Sequence, residues 1–294
     1  LDERGILTAH GQAMAELPAH PRIAHLLLRG QALGLGNLAS DLAALLGERD
    51  ILRGAGADLH SRIALLSGAD KAQRGSQGGV QRARQLARQF RGYLRGPAPE
   101  ALADPEHPRW LGCLLAFAYP DRVARQRRAG GGDYRLANGR AALFGEPDAL
   151  MKHEWLVIAD LGSRQGQREE RIYLAADLEP TLFDTVLAEQ VSQVEELEWD
   201  EREGVLRAER QRKVGALVLS SEALTGLDDS ARARALLGLV RRKGLELLPW
   251  TAELRQWQAR VALLRRLDLH DKGSSAWPDL SDVALLASLE DWLM

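Results

Sequence analysis

The hydrophobic period of the sequence changes twice along the chain, and this constrains the fold more than any other feature. Up to about residue 119, apolar residues recur at helical spacing, as at Ile23, Leu26 and Leu27. From Tyr134 onward, short apolar segments separated by turn residues predict strands, and after Leu227 the helical spacing returns. At about 150 residues per domain, this order predicts an α+β multidomain chain with two or three domains.

The central segment predicts a small β-barrel. Asn138 and Gly139 lie between two short apolar stretches and favour a hairpin with a type I′ turn. Further strands are predicted at 155–160, 171–176, 191–200, 204–212 and 215–219, with a helix at 181–190. Five or so short strands with one inserted helix are typical of an OB-like antiparallel barrel. A helix bundle precedes it, in which the segment 109–119 is apolar nearly all round and is therefore expected to be buried.

Several classes of protein are excluded by what the sequence lacks. No apolar run reaches the roughly 18–20 residues that span a bilayer, and the first residues lack a signal-peptide pattern, so a membrane protein is excluded. The single cysteine, Cys113, excludes a disulfide framework and a multi-thiolate metal site and fits a reducing cytoplasm. No P-loop, zinc-protease or nucleophile-elbow motif occurs, and the histidines are scattered. We therefore expect neither catalytic nor metal-binding residues.

The distribution of charge is more informative than the formal net charge of −2. Between Lys71 and Arg140 there are 14 Lys and Arg against 5 Asp and Glu, a local balance of +9, so the rest of the chain carries −11. The segment 177–203 has 10 acidic residues against one arginine. The basic segment could hold phosphate groups, or it could consist of solvated helix faces.

The first 25 residues resemble a segment that closes the winged helix of DEAH-box helicases, with the pattern L-T-x-x-G-x-x-[ML]-A-x-[LF]-P-x-x-P-R-[LIV]-[AGS]. The matching residues are Leu7, Thr8, Gly11, Met14, Ala15, Leu17, Pro18, Pro21, Arg22, Ile23 and Ala24. Segments 116–124 and 134–140 look like the start of the OB-like module of these helicases. Leu-Leu-Pro-Trp at 247–250 and Trp-Pro-Asp-Leu-Ser-Asp at 277–282 resemble the bacterial HrpB subfamily. The resemblance covers essentially the whole chain, in the same order.

This resemblance implies four segments along the chain. They are the end of a winged helix with a linker helix at 1–31, a helicase-associated helical (ratchet) domain at 32–119, the OB-like barrel at 120–226, and a truncated helical segment of the HrpB-type C-terminal domain at 227–294. It also implies two RecA-like domains before Leu1 and further residues after Met294. ATP and Mg²⁺ would bind in those RecA-like domains, so we expect no cofactor and no ATPase activity in this chain by itself.

The first candidate RNA-binding cluster lies where the chain enters the barrel. Its members are Arg122, Arg125, Arg127 and Arg128, and three successive glycines, 130–132, follow them. Positive groups neutralise phosphates and release counterions, which supplies sequence-independent affinity. Small residues let a strand approach the backbone closely. The alternative is a surface loop whose arginines make ordinary ion pairs.

The second candidate cluster is an arginine stripe on the amphipathic helix predicted at 80–94. Arg84, Arg88, Arg91 and Arg95 have 4-3-4 spacing and so follow one another along one helix face. The stripe could line an RNA channel, or it could pair with acidic residues of the RecA-like domains.

Other notable side chains have a structural interpretation. Asp58 and Arg62 are expected to form an intrahelical pair, and Asp58 and His60 are expected to be surface polar groups. Core packing is favoured over base stacking for Phe90, Tyr93, Phe117 and Tyr119. The acidic segment 195–203 would repel RNA, and Trp250, Trp257 and Trp277 are expected to pack the helical tail onto the barrel or onto C-terminal residues beyond this chain.

Two functions remain open at this stage. The resemblance implies an accessory region of an ATP-dependent RNA helicase that clamps single-stranded RNA while RecA-like domains hydrolyse ATP and advance the strand in the 3′-to-5′ direction. The alternative is a protein-interaction scaffold that does not contact RNA. In either case we expect a cytoplasmic monomer with RecA-like domains as intramolecular partners and with no membrane attachment.

Overall fold

The computed structural model describes residues 5–52, 54–69, 76–94, 104, 106–162, 170–200, 205–224, 229–272 and 274–293. Two compact units divide the chain. The first comprises Leu1–Gln193 and Arg212–Ser220, and the second comprises Val194–Gln211 and Ser221–Met294. Arg95, the last member of the predicted stripe, and 201–203 of the acidic segment lie outside the described residues.

The first unit begins with six helices: α1 Ala9–Ala15, α2 Pro21–Ala32, α3 Gly36–Gly47, α4 Leu59–Ser67, α5 Gln77–Tyr93 and α6 Arg109–Ala118. Local sequence sets several of their starts. The Thr8 hydroxyl accepts a hydrogen bond of 3.0 Å from the Gly11 N–H and caps α1. Pro21 is the first residue of α2, where a missing N–H costs nothing. Helix α5 buries Ala83, Ala87 and Phe90 on one face, as its amphipathic pattern predicts.

Helix α6 lies between the other helices and the barrel. All of its residues except Arg109 are buried, which confirms the expectation from its apolar sequence. It packs against α2 on one side and against two barrel strands on the other. One continuous core includes Leu26 of α2, Leu114 of α6 and Val157 of the barrel. The helices and the barrel therefore share a hydrophobic core.

The barrel has five strands: β1 Val123–Gln126, β2 Asp133–Leu136, β3 Ala141–Phe144, β4 Trp155–Gly162 and β5 Glu170–Asp177. They close in the order β1-β2-β3-β5-β4, and β1 pairs with β4. The prediction of an entirely antiparallel barrel is wrong, because β3 and β5 pair in parallel. Parallel neighbours need a long crossover, and the crossover here contains β4. Ala124, Leu136, Leu156 and Ile172 fill the interior.

The hairpin between β2 and β3 forms at the predicted site with a different turn. A type I′ turn requires positive φ at both central residues, and Gly139 is the only residue of this turn with positive φ, at 86°. The Gly139 N–H donates to the Leu136 carbonyl at 2.9 Å, and the Leu136 N–H donates to the Arg140 carbonyl at 2.8 Å. This is a longer loop that ends in a left-handed glycine.

Two further expectations about the β-region are wrong. The predicted helix at 181–190 is a pair of short 3₁₀ turns, Pro180–Asp184 and Ala188–Gln190, and Pro180 begins the first of them. The last three predicted strands are not part of the barrel. They are β6 Ser192–Asp200, β7 Val205–Val214 and β8 Leu217–Ala223, and they form their own sheet in that order. The five earlier strands already close the barrel, so none of its edges is free to pair with them.

The second unit contains the helices α7 Asp229–Lys243, α8 Ala252–Lys272, α9 Asp282–Ala287 and α10 Leu289–Leu293. Leu237, Val240, Leu245 and Leu289 form its core. Trp250 packs in this unit, where its indole N–H donates to the Leu245 carbonyl at 2.7 Å. Trp257 and Trp277 are exposed, and the expectation that they pack onto another part of the protein stays a prediction.

None of the described helices combines the length and the apolar character needed to cross a membrane. The boundaries at residues 31, 119 and 226, and the winged-helix and ratchet assignments, stay predictions.

Candidate nucleic-acid interface

Arg125 lies on β1 and is held by three neighbours. Its Nε donates to Glu154 Oε1 at 2.8 Å, and its Nη1 donates to the Val218 carbonyl at 2.8 Å. The guanidinium also lies over the Trp155 ring, 5.2 Å from its centroid. These contacts tie β1 to β4 and β8, so the position of this charge is set by the fold.

Arg122 precedes β1 and is likewise engaged with its own domain. Its Nη1 donates to the Ala159 carbonyl at 2.7 Å, and the guanidinium lies 4.5 Å from the centroid of the Tyr119 ring. The side chain is half-buried. Its main role in the structure is to join the end of α6 to β4.

Arg127 and Arg128 lie in the loop between β1 and β2, and both are exposed. Among the described residues, neither side chain has a hydrogen-bond or ion-pair partner. An unpaired exposed guanidinium keeps its full donor capacity for a ligand, and phosphate oxygens are acceptors that suit its geometry. These two arginines are therefore the members of the first cluster that are available to bind an anion.

Gln126 organises the loop that carries them. Its Nε2 donates to the carbonyl oxygens of Gly131 and Met151, both at 2.7 Å, and its Oε1 accepts from the Gly130 N–H at 3.2 Å. The Tyr134 hydroxyl lies beside this group and donates to the His153 carbonyl at 2.8 Å. Burial raises the pKa of Tyr134 to about 12, so the hydroxyl stays protonated. The side chain of Gln126 therefore anchors the loop at Gly130 and Gly131.

A cleft of about 810 Å³ opens at the base of this loop. Four cationic side chains line it: Arg125, Arg127, Arg135 and Lys152. Among its lining residues, Glu154 is the acidic one. Arg125 is paired with Glu154, but Arg127, Arg135 and Lys152 have no ion-pair partner among the described residues. The cleft therefore has an excess of positive charge, which attracts a polyanion.

Arg135 and Lys152 were not among the predicted site residues. Arg135 lies on β2 next to buried Tyr134, so strand alternation places it on the outside of the barrel. Lys152 lies in the 3₁₀ turn Ala149–Lys152 before β4. Alternation could have indicated that Arg135 faces outward, but nothing local in the sequence brings Lys152 to the same cleft.

The arginine stripe of α5 does not line this cleft, and its described members have different environments. Arg84 Nε donates to the Leu66 carbonyl at 2.8 Å and so caps the end of α4. Arg91 pairs with Asp41 of α3. Arg88 is exposed and has no hydrogen-bond or ion-pair partner in the described part of the chain. Two of the three therefore hold helices together, and Arg88 is free.

The expected pair of Asp58 and Arg62 is replaced by two other pairs. Arg62 is buried, and its guanidinium binds Asp50 at 2.8 Å and the carbonyl oxygens of Leu52 and Asp58. The Asp58 carboxylate instead accepts from the N–H of His60 at 2.9 Å and lies 3.0 Å from His60 Nδ1. The side chain of Asp58 therefore caps α4 and is not paired with Arg62.

His60 is half-buried and connects α4 to its surroundings. Its Nε2 lies 3.2 Å from the Pro108 carbonyl, and Asp177 lies 3.6 Å from Nδ1. Burial disfavours the charged imidazole, but the hydrogen bonds to Asp58 and Pro108, together with the negative charges of Asp58 and Asp177, raise the pKa of His60. Burial also acts against the charged form of Asp58, yet the hydrogen bonds from His60 lower the pKa of Asp58. The pair is a structural contact rather than a surface pair.

No group of three or more potential metal ligands occurs among the described residues. Cys113 is buried as a free thiol within α6. Of the four aromatics expected to pack in the core, Phe90 and Phe117 are buried and Tyr119 is partly buried, but Tyr93 is 50% exposed, contrary to expectation. It lies in the last turn of α5, where the helix extends past the residues that α5 buries.

Comparison with known proteins finds relatives over nearly the whole chain. Residues 190–224, which include β6 to β8, match the family described as ATP-dependent RNA helicase HrpB, connector region. A curated relative, ATP-dependent RNA helicase HrpB of Escherichia coli (strain K12), is 33% identical over 289 residues, which is 98% of this chain and 32% of the relative.

Two solved structures are similar as well. The crystal structure of the E. coli DExH-box NTPase HrpB matches with a TM-score of 0.62 and 31% identity over 97% of this chain and 32% of that chain. The crystal structure of the E. coli DEAH/RHA helicase HrpB matches with a TM-score of 0.59 and 30% identity over 97% of this chain and 33% of that one. The chain is therefore similar to HrpB helicases over nearly its whole length, and it spans about a third of the length of the relatives that it matches.

Proposed function

We propose that this chain is the part of an ATP-dependent RNA helicase that holds single-stranded RNA while RecA-like domains elsewhere in the protein hydrolyse ATP. The cationic cleft of the barrel carries this proposal. In OB-folds, five-stranded barrels of Greek-key topology, the loop between the first two strands is one of the loops that bind oligonucleotides. Here that loop holds Arg127 and Arg128, the two unpaired arginines of the predicted cluster.

The cleft is suited to the phosphate backbone rather than to the bases. Its described lining has cations at Arg127, Arg135 and Lys152 but no aromatic side chain. Cations neutralise phosphates irrespective of base sequence, whereas base recognition needs hydrogen bonds to base edges or stacking surfaces. A helicase that advances along RNA requires such sequence-independent contacts. ATP and Mg²⁺ would be bound by the RecA-like domains, which in this proposal are intramolecular partners of the chain.

The proposal is tested by the salt dependence of RNA binding. We would titrate labelled single-stranded RNA with the chain and with an Arg127→Gln/Arg128→Gln variant over a range of salt concentrations. The slope of log K against log salt should become shallower by about 0.7 for each lost phosphate contact, so by about 1.4 for the double variant. Arg260→Gln/Arg266→Gln is the matched control, because these arginines of α8 are also exposed and have no ion pair among the described residues.

Equal affinity and slope for the wild-type chain and the loop variant would refute RNA binding by this loop. The same preparation should show no ATP hydrolysis, with or without RNA, and should sediment as a monomer. We also propose that the protein is cytoplasmic. The proposed segments are the winged-helix end at 1–31, the ratchet domain at 32–119, the segment that contains the OB-like barrel at 120–226, and the C-terminal helical segment at 227–294.

A protein-interaction scaffold is the second candidate, and the surface of α8 favours it. Six large apolar side chains of this helix are at least 40% exposed: Leu254, Trp257, Leu263, Leu264, Leu267 and Leu269. Exposed apolar side chains in this number are typical of protein contacts. If RNA affinity is unchanged in the loop variant, and pull-down of a partner protein depends on Trp257, the scaffold is the better description.

A further inference from the structure

A second cleft, of about 950 Å³, lies between the helices of the first unit and the barrel. It is lined by the end of α3, the segment before α4, the segment that follows β3, and the first half of β5. None of the predicted RNA-binding residues lines it. Its character differs from that of the cationic cleft, because it contains an exposed aromatic side chain.

That aromatic residue is Tyr173, and it shares one face of β5 with Arg171. Strand alternation points Ile172, which lies between them, into the barrel interior, so Arg171 and Tyr173 point outward. The side chain of Tyr173 is 47% exposed. Both outward groups are planar, and planar groups of this kind are the ones on which unpaired bases stack.

Two glycines make room for these planar groups. A Cβ at Gly162 of β4 would lie 2.4 Å from Cε2 of the Tyr173 ring. A Cβ at Gly145, just after β3, would lie 1.8 Å from both Nε and Nη2 of Arg171. The ring and the guanidinium therefore lie close against backbone. This contact limits their rotamers, so little side-chain entropy remains to be lost when a ligand stacks on them.

The charges of this cleft nearly cancel. Glu48 is paired with Arg82 and Asp50 with Arg62, and the Asp148 carboxylate accepts from the N–H groups of Ala57 and Leu150. The charged lining residues with no ion pair among the described residues are two cations and three carboxylates, which leaves a small negative excess: Arg49, Arg171, Glu146, Asp148 and Asp160. A ligand is therefore not attracted by net charge, and stacking is the main interaction that the cleft offers.

We infer that Tyr173, which shares the outward face of β5 with Arg171, stacks an unpaired base of a single-stranded nucleic acid. This inference rests on the proposed RNA binding and adds a second contact of different chemistry, in which the cationic cleft holds phosphates and the β5 face holds a base. Base–aromatic stacking tolerates any base, because each has a π face. The contact therefore adds affinity without adding sequence preference.

The experiment compares Tyr173→Ala and Tyr173→Phe with the wild-type chain. The probe is labelled single-stranded RNA of about 12 nucleotides, within the range of site sizes known for OB-folds. Tyr173→Ala should weaken binding by about five-fold to 100-fold, as expected for the loss of one stacked base. Tyr173→Phe should bind like the wild-type chain, because it keeps the ring. The salt slope should stay unchanged in Tyr173→Ala, in contrast to the loop variant.

A strand of the same length with abasic sites separates stacking from a structural role. The wild-type chain should bind it as weakly as Tyr173→Ala binds the normal strand, and Tyr173→Ala should lower its affinity no further. Equal losses on both strands, or no loss on the normal strand, would overturn the stacking contact while leaving phosphate binding intact. Failure of the wild-type chain to bind any strand would overturn the proposed function as well.

Discussion

The side-chain amide of Gln126 donates a hydrogen bond of 2.7 Å to the carbonyl oxygen of Gly131, across the loop that presents Arg127 and Arg128. The same nitrogen donates to the Met151 carbonyl, and the side-chain oxygen accepts from the Gly130 N–H. Gln126 therefore anchors the loop through both the nitrogen and the oxygen of its side-chain amide. This relationship links the stability of the barrel to the position of the unpaired arginines.

Replacing Gln126 by leucine should therefore destabilise the barrel and loosen the loop. The change leaves three backbone groups without their partner, which we expect to lower the free energy of unfolding by about 1–3 kcal/mol. Urea denaturation measures this loss. Gln89→Leu on exposed α5 surface is the control and should change stability by less than about 0.5 kcal/mol. Equal stability of the two variants would contradict the anchoring role.

Gly112→Ala should separate α6 from the barrel. A Cβ at this position would lie 2.0 Å from the carbonyl oxygen of Asp177 in β5, and that oxygen is backbone and cannot move aside alone. We expect a loss of about 1–3 kcal/mol in the free energy of unfolding, because inserted volume strains a packed core. Thermal or urea denaturation measures it.

Gly92→Ala is the matched control for that substitution. Gly92 lies in the last turns of α5, and nothing lies within 4 Å of where its Cβ would be. Alanine should be neutral there or stabilise the helix by up to about 1 kcal/mol. Comparison of Gly112→Ala with Gly92→Ala separates the effect of close packing from that of helix propensity. A similar change in the free energy of unfolding at both positions would contradict the packing argument.

The contact of His60 with Asp58 predicts a pH dependence of stability. The pKa of His60 is raised above its ordinary value of 6.5, so its contribution is complete below that value and is lost as the pH rises through the folded-state pKa. The pKa of Asp58 is lowered below its ordinary 3.8, so its contribution is present above 3.8 and is lost as the pH falls through the folded-state pKa. The contact is strongest between these limits.

The difference in unfolding free energy between the wild-type chain and His60→Gln should therefore shrink as the pH is raised from roughly 6 to 8. Denaturation curves at a series of pH values measure the difference. His153→Gln is the matched control, because it removes a histidine that does not contact Asp58 and leaves the contact of His60 with Asp58 in place. A constant difference for His60→Gln would exclude the linkage.

Cys113 should be unreactive in the folded chain. Burial raises the pKa of its thiol to about 12, and only the thiolate is nucleophilic. A thiol reagent such as DTNB should react with it at a rate limited by unfolding, and should react at once in concentrated guanidinium chloride. Rapid reaction of the native chain would show that α6 opens or that the thiol is accessible.

Short-range features of the sequence determined the helices and the approximate positions of most barrel strands. The apolar circumference of 109–119 predicted a buried helix, and the spacing of Ala83, Ala87 and Phe90 predicted the buried face of α5. These predictions succeed because the helical and strand periods are local, so neighbouring residues specify which side is buried. The family resemblance rested likewise on contiguous residues and was confirmed over nearly the whole chain.

Tertiary structure alone decided which side chains are free to bind. Arg84 and Arg91 share a predicted stripe with Arg88, yet the first caps α4, the second pairs with Asp41, and only Arg88 is free among these three. Arg125 is bound to Glu154, whereas Lys152 and Arg135 reach the same cleft from other elements. The sequence determined where positive charge is concentrated. Its availability depends on contacts between residues far apart in the chain, and those contacts exist only after the barrel has closed and α6 has packed against it.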